Sequence, residues 1–188
     1  MVLKNIKNIV KKILPITSNI RYDNQTNKIM KIVLEADSTF IDVGCHRGEV
    51  LDQAIQFSPN GRHFGYEPIP DLYSNLVKKY ERDCEIKNFA IAHFVGQSEF
   101  HHVVSNPAYS GIKKRSYPKK EKIHKIKIKT TTLDEELLDE KRVDLIKIDV
   151  EGGEFAVLKG SEKIINKFHP VIIFEHGIGA ADFYQTNS

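Results

Sequence analysis

The chain has 188 residues, of which 40% are hydrophobic and 28% are charged, and its formal net charge is +3. This length fits one domain with a full hydrophobic core, and the apolar fraction excludes intrinsic disorder. No uninterrupted apolar run approaches the ~18 residues that a membrane-spanning helix needs. The two cysteines, Cys45 and Cys84, form neither a disulfide framework nor a zinc pattern, so we expect a cytoplasmic protein with reduced thiols.

The amino-terminal residues 1–38 predict a helical segment that precedes the main domain. Apolar residues recur at helical spacing over residues 2–14 with lysines between them, and Pro15 ends the pattern. The lysines interrupt the apolar stretch that a secretory signal would need. We therefore expect either a helix docked on the domain or a basic amphipathic helix that contacts a membrane surface. A second helix is predicted over residues 24–35.

Residues 39–188 predict an α/β domain with a mostly parallel sheet. Short β-branched runs alternate with longer helical patterns, which is typical of parallel strands with helices on both faces. Residues 98–104 and 125–131 instead alternate apolar and polar residues, so we expect them to form an inserted antiparallel pair. The main strands are predicted at residues 40–43, 63–66, 85–89, 143–148 and 171–174, and the helices at 49–57, 71–80 and 154–158.

The turn from Asp42 to Gly48 follows the first predicted strand and precedes a helix, as ligand-binding loops often do. Gly44 permits a tight turn, and Gly48 allows close approach at the helix start, where free N–H groups favour anionic or polar groups. His46 replaces the middle glycine of the dinucleotide pattern G-x-G-x-x-G, which leaves less room for a pyrophosphate. The acidic Asp42 suits a ligand that carries a positive amine.

Glu67 ends the second predicted strand, about 20 residues after this turn along the chain. An acidic residue at this separation can accept hydrogen bonds from both ribose hydroxyls. Pro68 stops the strand, and the alternative interpretation is a surface carboxylate beside a turn proline. Asn88 and Ala90 end the third predicted strand, where an adenine could rest on an apolar wall. On position alone, ordinary core packing explains these last residues better.

Three carboxylates, Asp149, Glu151 and Glu154, follow the fourth predicted strand. Ligands bind at this edge of open α/β sheets, and adjacent buried carboxylates are seldom concentrated there without a ligand, cation or donor. The alternative is that Glu151 and Glu154 favour a helix start. After the fifth strand, His176 could titrate near neutrality or be a hydrogen-bonded histidine at the rim.

Together these motifs resemble the FkbM family of S-adenosylmethionine-dependent methyltransferases. The resemblance implies a Rossmann-like sheet of strand order 3-2-1-4-5 and methyl transfer, usually to a hydroxyl of a sugar, glycan or natural product. Six blocks of sequence carry the resemblance, and they follow one another in the family's order. They are residues 40–44 (with Gly48), 66–70, 88–91, 131–134, 147–152 (with Glu154, Leu158 and Gly160) and 170–175.

The resemblance carries the cofactor loop onto Asp42, Gly44 and Gly48 and the ribose acid onto Glu67. The other site residues are predicted from the sheet edge at which the first, fourth and fifth strands are expected to meet. We expect S-adenosylmethionine to contact Asp42, Gly44, Cys45, His46, Gly48, Glu67, Pro68, Asn88, Ala90 and Asp149. Asp149 is the predicted base or orienting group, His176 is the alternative base, and Glu151 is predicted to hold the acceptor. We assign no metal ligand; a divalent cation bridging Asp149 and Glu175 is an open alternative, which carboxylates alone do not establish. Cys45 and His46 stand where the family usually has Ala-Asn.

The family usually continues past the fifth strand into a further helix and strand pair, whereas only residues 177–188 follow here. We therefore expect the carboxyl-terminal strands to be missing and the fifth strand to form an exposed edge through which a homodimer could pair.

The expected partner is a sugar, glycan or glycolipid. One alternative is a catalytically inactive domain that binds a glycan or lipid head group. Another is a nucleic-acid methyltransferase, suggested by nine Lys or Arg residues between Lys113 and Lys129. Of the aromatic residues needed for base stacking, only Tyr109 and Tyr117 accompany them, so the composition does not favour a nucleic-acid partner.

Overall fold

The computed structural model describes residues 18–114, 117 and 119–174 of the chain. Helix α1 (Ser18–Val33) and the residues from Leu34 onwards belong to two compact units. Helix α1 begins and ends earlier than the second predicted helix, and the helix predicted over residues 2–14 lies outside the described residues. The domain boundary after residue 38 stays a prediction. In the described part of the chain, no helix is long and apolar enough to cross a membrane.

A five-stranded parallel sheet forms the centre of the second unit. Its strands are β1 (Thr39–Val43), β2 (Arg62–Tyr66), β3 (Glu85–Lys87), β7 (Leu145–Ile148) and β8 (Val171–Phe174). They lie in the order β3-β2-β1-β7-β8, which confirms the predicted order 3-2-1-4-5. Strands β1 and β7 are almost wholly buried because they lie at the middle of this sheet, as continuous apolar strands of parallel sheets do.

Helices follow most of the parallel strands, as predicted. They are α2 (Glu49–Phe57), α3 (Pro70–Lys79), the short α4 (Leu133–Glu136), α5 (Glu154–Lys159) and α6 (Glu162–Phe168). Helix α4 was not predicted, and neither was helix α6. Gly160 separates it from α5, at a point where an added Cβ would lie 2.0 Å from the carbonyl oxygen of Ala92. Only a glycine therefore allows this close approach.

A second sheet contains the inserted antiparallel pair. Its strands are β4 (Ala90–Ile91), β5 (Gly96–Val103) and β6 (Ile123–Thr131), in the order β4-β6-β5. Strands β5 and β6 are antiparallel, as predicted, and β4 runs parallel to β6. The third predicted strand, residues 85–89, was too long, because β3 ends at Lys87 and the chain enters the second sheet at Ala90.

The second sheet packs on the segment that follows β2 through a small apolar cluster. Phe100 and Ile128 of the second sheet pack with Ala90 and with Ile69, which precedes helix α3. The second sheet thus lies beside the carboxyl end of β2.

Strand β8 is the last strand of the parallel sheet among the described residues, and its Val171 and Phe174 are exposed. Residues 175–188, including His176, lie outside the described part. The absence of further strands and a homodimer through this edge therefore stay predictions.

Candidate active site

The turn after β1 is held between its two neighbouring strands. The backbone amides of Gly44 and Cys45 donate to the carbonyl oxygen of Tyr66 at 3.0 and 3.2 Å, and the amide of Asp149 donates to Val43 O at 2.9 Å. Gly44 has φ +81°, and an added Cβ would lie 2.0 Å from the carbonyl oxygen of Asp149. Gly44 is therefore required by the close approach of two strand ends as well as by the turn.

The second half of the turn contacts Tyr80, the residue that follows helix α3. The Tyr80 hydroxyl lies 2.6 Å from Gly48 O and 2.7 Å from Asp52 Oδ1, so its single hydrogen is shared between two acceptors. Burial, together with the carboxylate of Asp52, raises the pKa of Tyr80. Gly48 has φ +80°, and an added Cβ would lie 2.4 Å from the Tyr80 hydroxyl. This contact fixes the start of α2.

Glu67 joins the turn to the end of β2. Its Oε2 accepts from the amide of His46 at 3.0 Å, and its Oε1 accepts from the amide of Ile69 at 2.9 Å. The residue is only 4% exposed, which excludes a surface carboxylate. Burial raises the pKa of Glu67 to about 7, against the effect of the two amides. Each oxygen of a carboxylate has two acceptor positions, so one on each remains for a ligand.

A buried ion cluster lies where β1 and β7 end. Lys147 Nζ is 3.2 Å from Asp42 Oδ1 and 3.6 Å from Asp149 Oδ2, and it donates to Gly44 O at 3.4 Å. Burial alone would lower the pKa of Lys147, but the carboxylates of Asp42 and Asp149 outweigh it and raise that pKa. The Asp42 side chain is 1% exposed, and burial raises its pKa against the attraction of Lys147.

Lys147 was missed as a site residue by the sequence reasoning. It is the one charged residue of the strand L-I-K-I, whose other three members are buried. A lysine in such a strand needs a carboxylate partner, and that requirement could have identified it. Asp42 was expected to meet a ligand amine, but its charge is balanced by Lys147.

The acidic turn after β7 contains carboxylates with different environments. The Asp149 side chain is 42% exposed, so it is accessible to a bound molecule. Glu151 is partly buried and has φ +57°, in the left-handed region. Glu154 is 3% exposed, and its Oε1 accepts from the amide of Gly152 at 2.8 Å. Glu154 therefore stabilises the turn itself.

The remaining predicted cofactor residues divide between the site and the core. The Asn88 side-chain amide donates to the carbonyl oxygens of Glu67 and Pro68 at 2.8 and 3.1 Å, so all three are brought together. Ala90 is packed in the cluster between the two sheets. Cys45 is buried, which raises the pKa of its thiol.

Apart from Asp42 Oδ1, which is ion-paired with Lys147 Nζ, two polar atoms in this region are buried without a hydrogen-bond partner among the described residues, namely Asp42 Oδ2 and His46 Nε2. Buried polar atoms are usually satisfied, so these two indicate where a bound molecule or water would complete the site. No group of three or more His, Cys, Asp or Glu residues in the described part of the chain is arranged to hold a metal ion.

A pocket of about 240 Å³ lies between the turn after β1 and helix α3. Asp42, Glu67 and Asp149 do not line it. We therefore do not assign it to the cofactor. Its lining residues are His46, Arg47, Leu72, Asn75, Leu76 and Lys79.

The sequence matches the family model of the methyltransferase FkbM domain over residues 42–185. A search of curated proteins found no significant match. The chain is similar in structure to a putative rRNA-methylase from Clostridium thermocellum, with a TM-score of 0.51 and 11% identity, covering 86% of this chain and 74% of that one. At this identity the similarity supports the fold alone.

Two further solved structures match with lower TM-scores. An rRNA methylase from Streptococcus thermophilus has a TM-score of 0.45 and 10% identity over 77% of this chain, which spans only 63% of that protein. A precorrin-6y C5,15-methyltransferase from Geobacter metallireducens GS-15 has a TM-score of 0.49 and 16% identity, covering 90% of this chain and 71% of that one.

Proposed function

The chain belongs to the FkbM family of methyltransferases, and from this premise we propose that it methylates a hydroxyl of a sugar, glycan or glycolipid. The family and the fold imply S-adenosylmethionine as the methyl donor. One observation carries the proposal: the Gly44–Gly48 turn, Glu67 and the Asp42–Lys147–Asp149 cluster converge at the carboxyl edge of one parallel sheet. Ligands of open α/β sheets bind at this edge.

The charges and open acceptor positions of the site fit this cofactor. S-adenosylmethionine carries a sulfonium, an ammonium and a carboxylate, so it is positive overall. When ionised, Asp42, Lys147 and Asp149 leave one negative charge in excess, and a low-dielectric site strengthens its attraction for a cation. The partnerless atoms Asp42 Oδ2 and His46 Nε2 offer further polar contacts.

We assign cofactor binding to residues that the fold already holds in place. Glu67 accepts from the ribose hydroxyls through its remaining acceptor positions, and Asn88 fixes the Glu67–Pro68 turn that presents the carboxylate. The turn from Gly44 to Gly48, including Cys45 and His46, backs the methionine end.

The bound cofactor supplies an electrophilic methyl group on sulfur. The protein must align the acceptor hydroxyl on the far side of that methyl and take up the hydroxyl proton. Asp149 is our candidate for the proton acceptor, because its side chain is accessible and Lys147 holds it at 3.6 Å. We assign Glu151 to hold the acceptor, and His176, outside the described residues, is the alternative base.

Cofactor binding is tested by replacing Glu67 and measuring affinity by calorimetry. Glu67→Ala is expected to cost about 1.5–3 kcal/mol of binding, the range for a hydrogen bond to a charged group. Since alanine also releases the amides of His46 and Ile69, Glu67→Gln is the matched variant of similar shape, and the unfolding free energy of both is measured alongside. A folded Glu67→Ala variant that binds S-adenosylmethionine as tightly as the wild type would refute the ribose assignment.

The chemistry is tested by methyl release against a panel of sugars, glycans and glycolipids. At saturating cofactor, Asp149→Asn should lower turnover by roughly 10²–10⁴, the usual contribution of a positioned base, whereas the loss of one negative charge should weaken cofactor binding far less. If Asp149→Asn turns over normally and His176→Ala does not, the base is His176. Cofactor binding without transfer to any member of the panel would favour another acceptor class or an inactive binding domain.

A further inference from the structure

The outward-facing side of the β5–β6 pair is basic. Lys125, Lys127 and Lys129 alternate with inward-facing isoleucines along β6, and all three lysines are exposed. At about 3.3 Å per residue, neighbouring lysines stand about 7 Å apart in a row. We call this surface the ribbon face; its residues, paired across the strands, are Gln97 with Lys129, Glu99 with Lys127, and His101 with Lys125.

Positive charge dominates the ribbon face. Glu99 is the one acidic residue on it, and Lys125 Nζ lies 2.7 Å from Glu99 Oε1. That pair leaves Lys127 and Lys129 in excess. Lys114 adds a further positive charge near His101. Burial, and after it the charges of Lys125 and Lys114, lower the pKa of the His101 imidazole. A surface of this kind attracts a partner that carries many negative charges.

An exposed apolar tip lies at one end of the lysine row. Phe94 and Val95 are 38% and 66% exposed, and they form the turn that leads into β5. The turn is fixed at its base, because the amide of Ala92 donates to Thr131 O at 2.8 Å and Gly96 pairs with Thr130. The tip therefore follows the end of the ribbon at which Lys129 is the last lysine of the row.

From this combination we propose that the ribbon face and the Phe94–Val95 tip together dock the protein on an anionic lipid membrane. Lysines near an anionic leaflet are attracted to its head groups, and apolar side chains beside them enter the boundary with the acyl chains. A single-stranded nucleic acid would instead need aromatic rings on the charged face itself. The ribbon face carries no Phe, Tyr or Trp, and its one ring is the His101 imidazole; Phe100 of β5 points inward and packs with Ile69.

The position of this surface relates it to the candidate active site. The inner side of the same ribbon packs on Ile69, whose amide donates to Glu67. Docking through the ribbon face would therefore hold the domain that carries Glu67 at the membrane, with the ribbon between them. The docking itself requires no methyl transfer, so it can hold or fail independently of the proposed reaction.

The test uses the full chain and phosphatidylcholine vesicles with or without phosphatidylglycerol, with binding measured by cosedimentation. We expect binding only to the vesicles that contain phosphatidylglycerol. The triple variant K125Q/K127Q/K129Q should bind about 100-fold more weakly, since each lysine near such a surface contributes about fivefold. The matched variant K78Q/K141Q/K163Q removes three exposed lysines elsewhere and should bind within about threefold of the wild type.

The apolar tip is tested with the double variant F94S/V95S, which should weaken binding by about tenfold and leave it more sensitive to salt. Cofactor affinity and circular dichroism confirm that each variant is folded. Wild-type binding that is absent, or that both lysine triples reduce equally, would overturn the proposal. Normal vesicle binding by K125Q/K127Q/K129Q would also overturn the proposal, because the contact would then lie elsewhere, for example in residues 1–14. Lysine-dependent binding of single-stranded RNA without vesicle binding would reassign the surface to nucleic acid.

Discussion

Replacing Lys147 by methionine would leave the buried Asp42 carboxylate without the cation that balances it. Lys147 Nζ lies 3.2 Å from Asp42 Oδ1, and the Asp42 side chain is 1% exposed, so bulk solvent does not compensate for the lost ammonium. Removing one partner of a buried ion pair costs about 3–5 kcal/mol. That is a large part of the ~5–15 kcal/mol by which domains are stable. Since methionine retains much of the length of lysine, the loss reports charge rather than a cavity.

The charge interpretation is checked by a double-mutant cycle in urea. Asp42→Asn in the Lys147→Met background should recover about 2 kcal/mol or more, because it removes the uncompensated charge. The deficit of Lys147→Met should also shrink as the pH falls, because burial raises the pKa of Asp42 and a protonated Asp42 needs no cation.

The control is Lys87→Met, which breaks the more exposed pairs with Glu85 and Glu136, each at 3.0 Å, and should cost about 1 kcal/mol or less. A Lys147→Met loss no larger than that of Lys87→Met, or additive effects of Asp42→Asn and Lys147→Met, would refute the reasoning.

Two further variants test the turn after β1 by urea denaturation. Gly44→Ala should lower the unfolding free energy by about 2 kcal/mol or more, because φ is +81° and the new Cβ would meet Asp149 O at 2.0 Å. Gly153→Ala, where the nearest atom would be 3.3 Å away, should cost clearly less, and equal losses would contradict the strain argument. Tyr80→Phe should cost about 1–2 kcal/mol through the lost contacts with Gly48 O and Asp52 Oδ1, whereas Tyr73→Phe should be nearly neutral.

Local sequence patterns were enough to predict most of the fold. Helix α2 was predicted at the bounds the structure gives, because its apolar period and the preceding Gly48 are both local signals. The inserted pair of strands was recognisable from alternating lysines and isoleucines in β6. The place of Ala90 was not predictable in this way. The chain leaves the first sheet and enters the second between Lys87 and Ala90. There the side-chain amide of Asn88 donates to the carbonyl oxygens of Glu67 and Pro68, which lie about twenty residues earlier in the chain.

The candidate site was predicted as separate motifs, but their coupling was not. Asp42 and Lys147 are register partners on neighbouring strands, and no pattern within either strand reveals the pairing. Glu67 was correctly expected at the end of its strand. The amides of His46 and Ile69, which donate to its buried carboxylate, could not be identified from the pattern. Sequence reasoning identifies which residues reach the sheet edge. It does not show which of them neutralise one another and which remain available to a ligand.

The buried state of Glu67 makes cofactor binding depend on pH. Burial raises its pKa from an ordinary 4.5 to about 7, so between these values the folded protein holds a proton that the unfolded chain has lost. The unfolding free energy should therefore fall as the pH rises from 4.5 to 7, by up to about 3 kcal/mol.

Ribose hydroxyls bond best to the ionised carboxylate, so S-adenosylmethionine should bind more tightly as the pH rises through 7, and binding below that pH should release a proton from Glu67. Calorimetry in buffers of different ionisation enthalpy measures this release directly. The Glu67→Gln variant cannot release the proton, so its binding should lose that buffer dependence. Proton uptake in the wild type, or an identical buffer dependence in both proteins, would mean that the ribose is not held by Glu67.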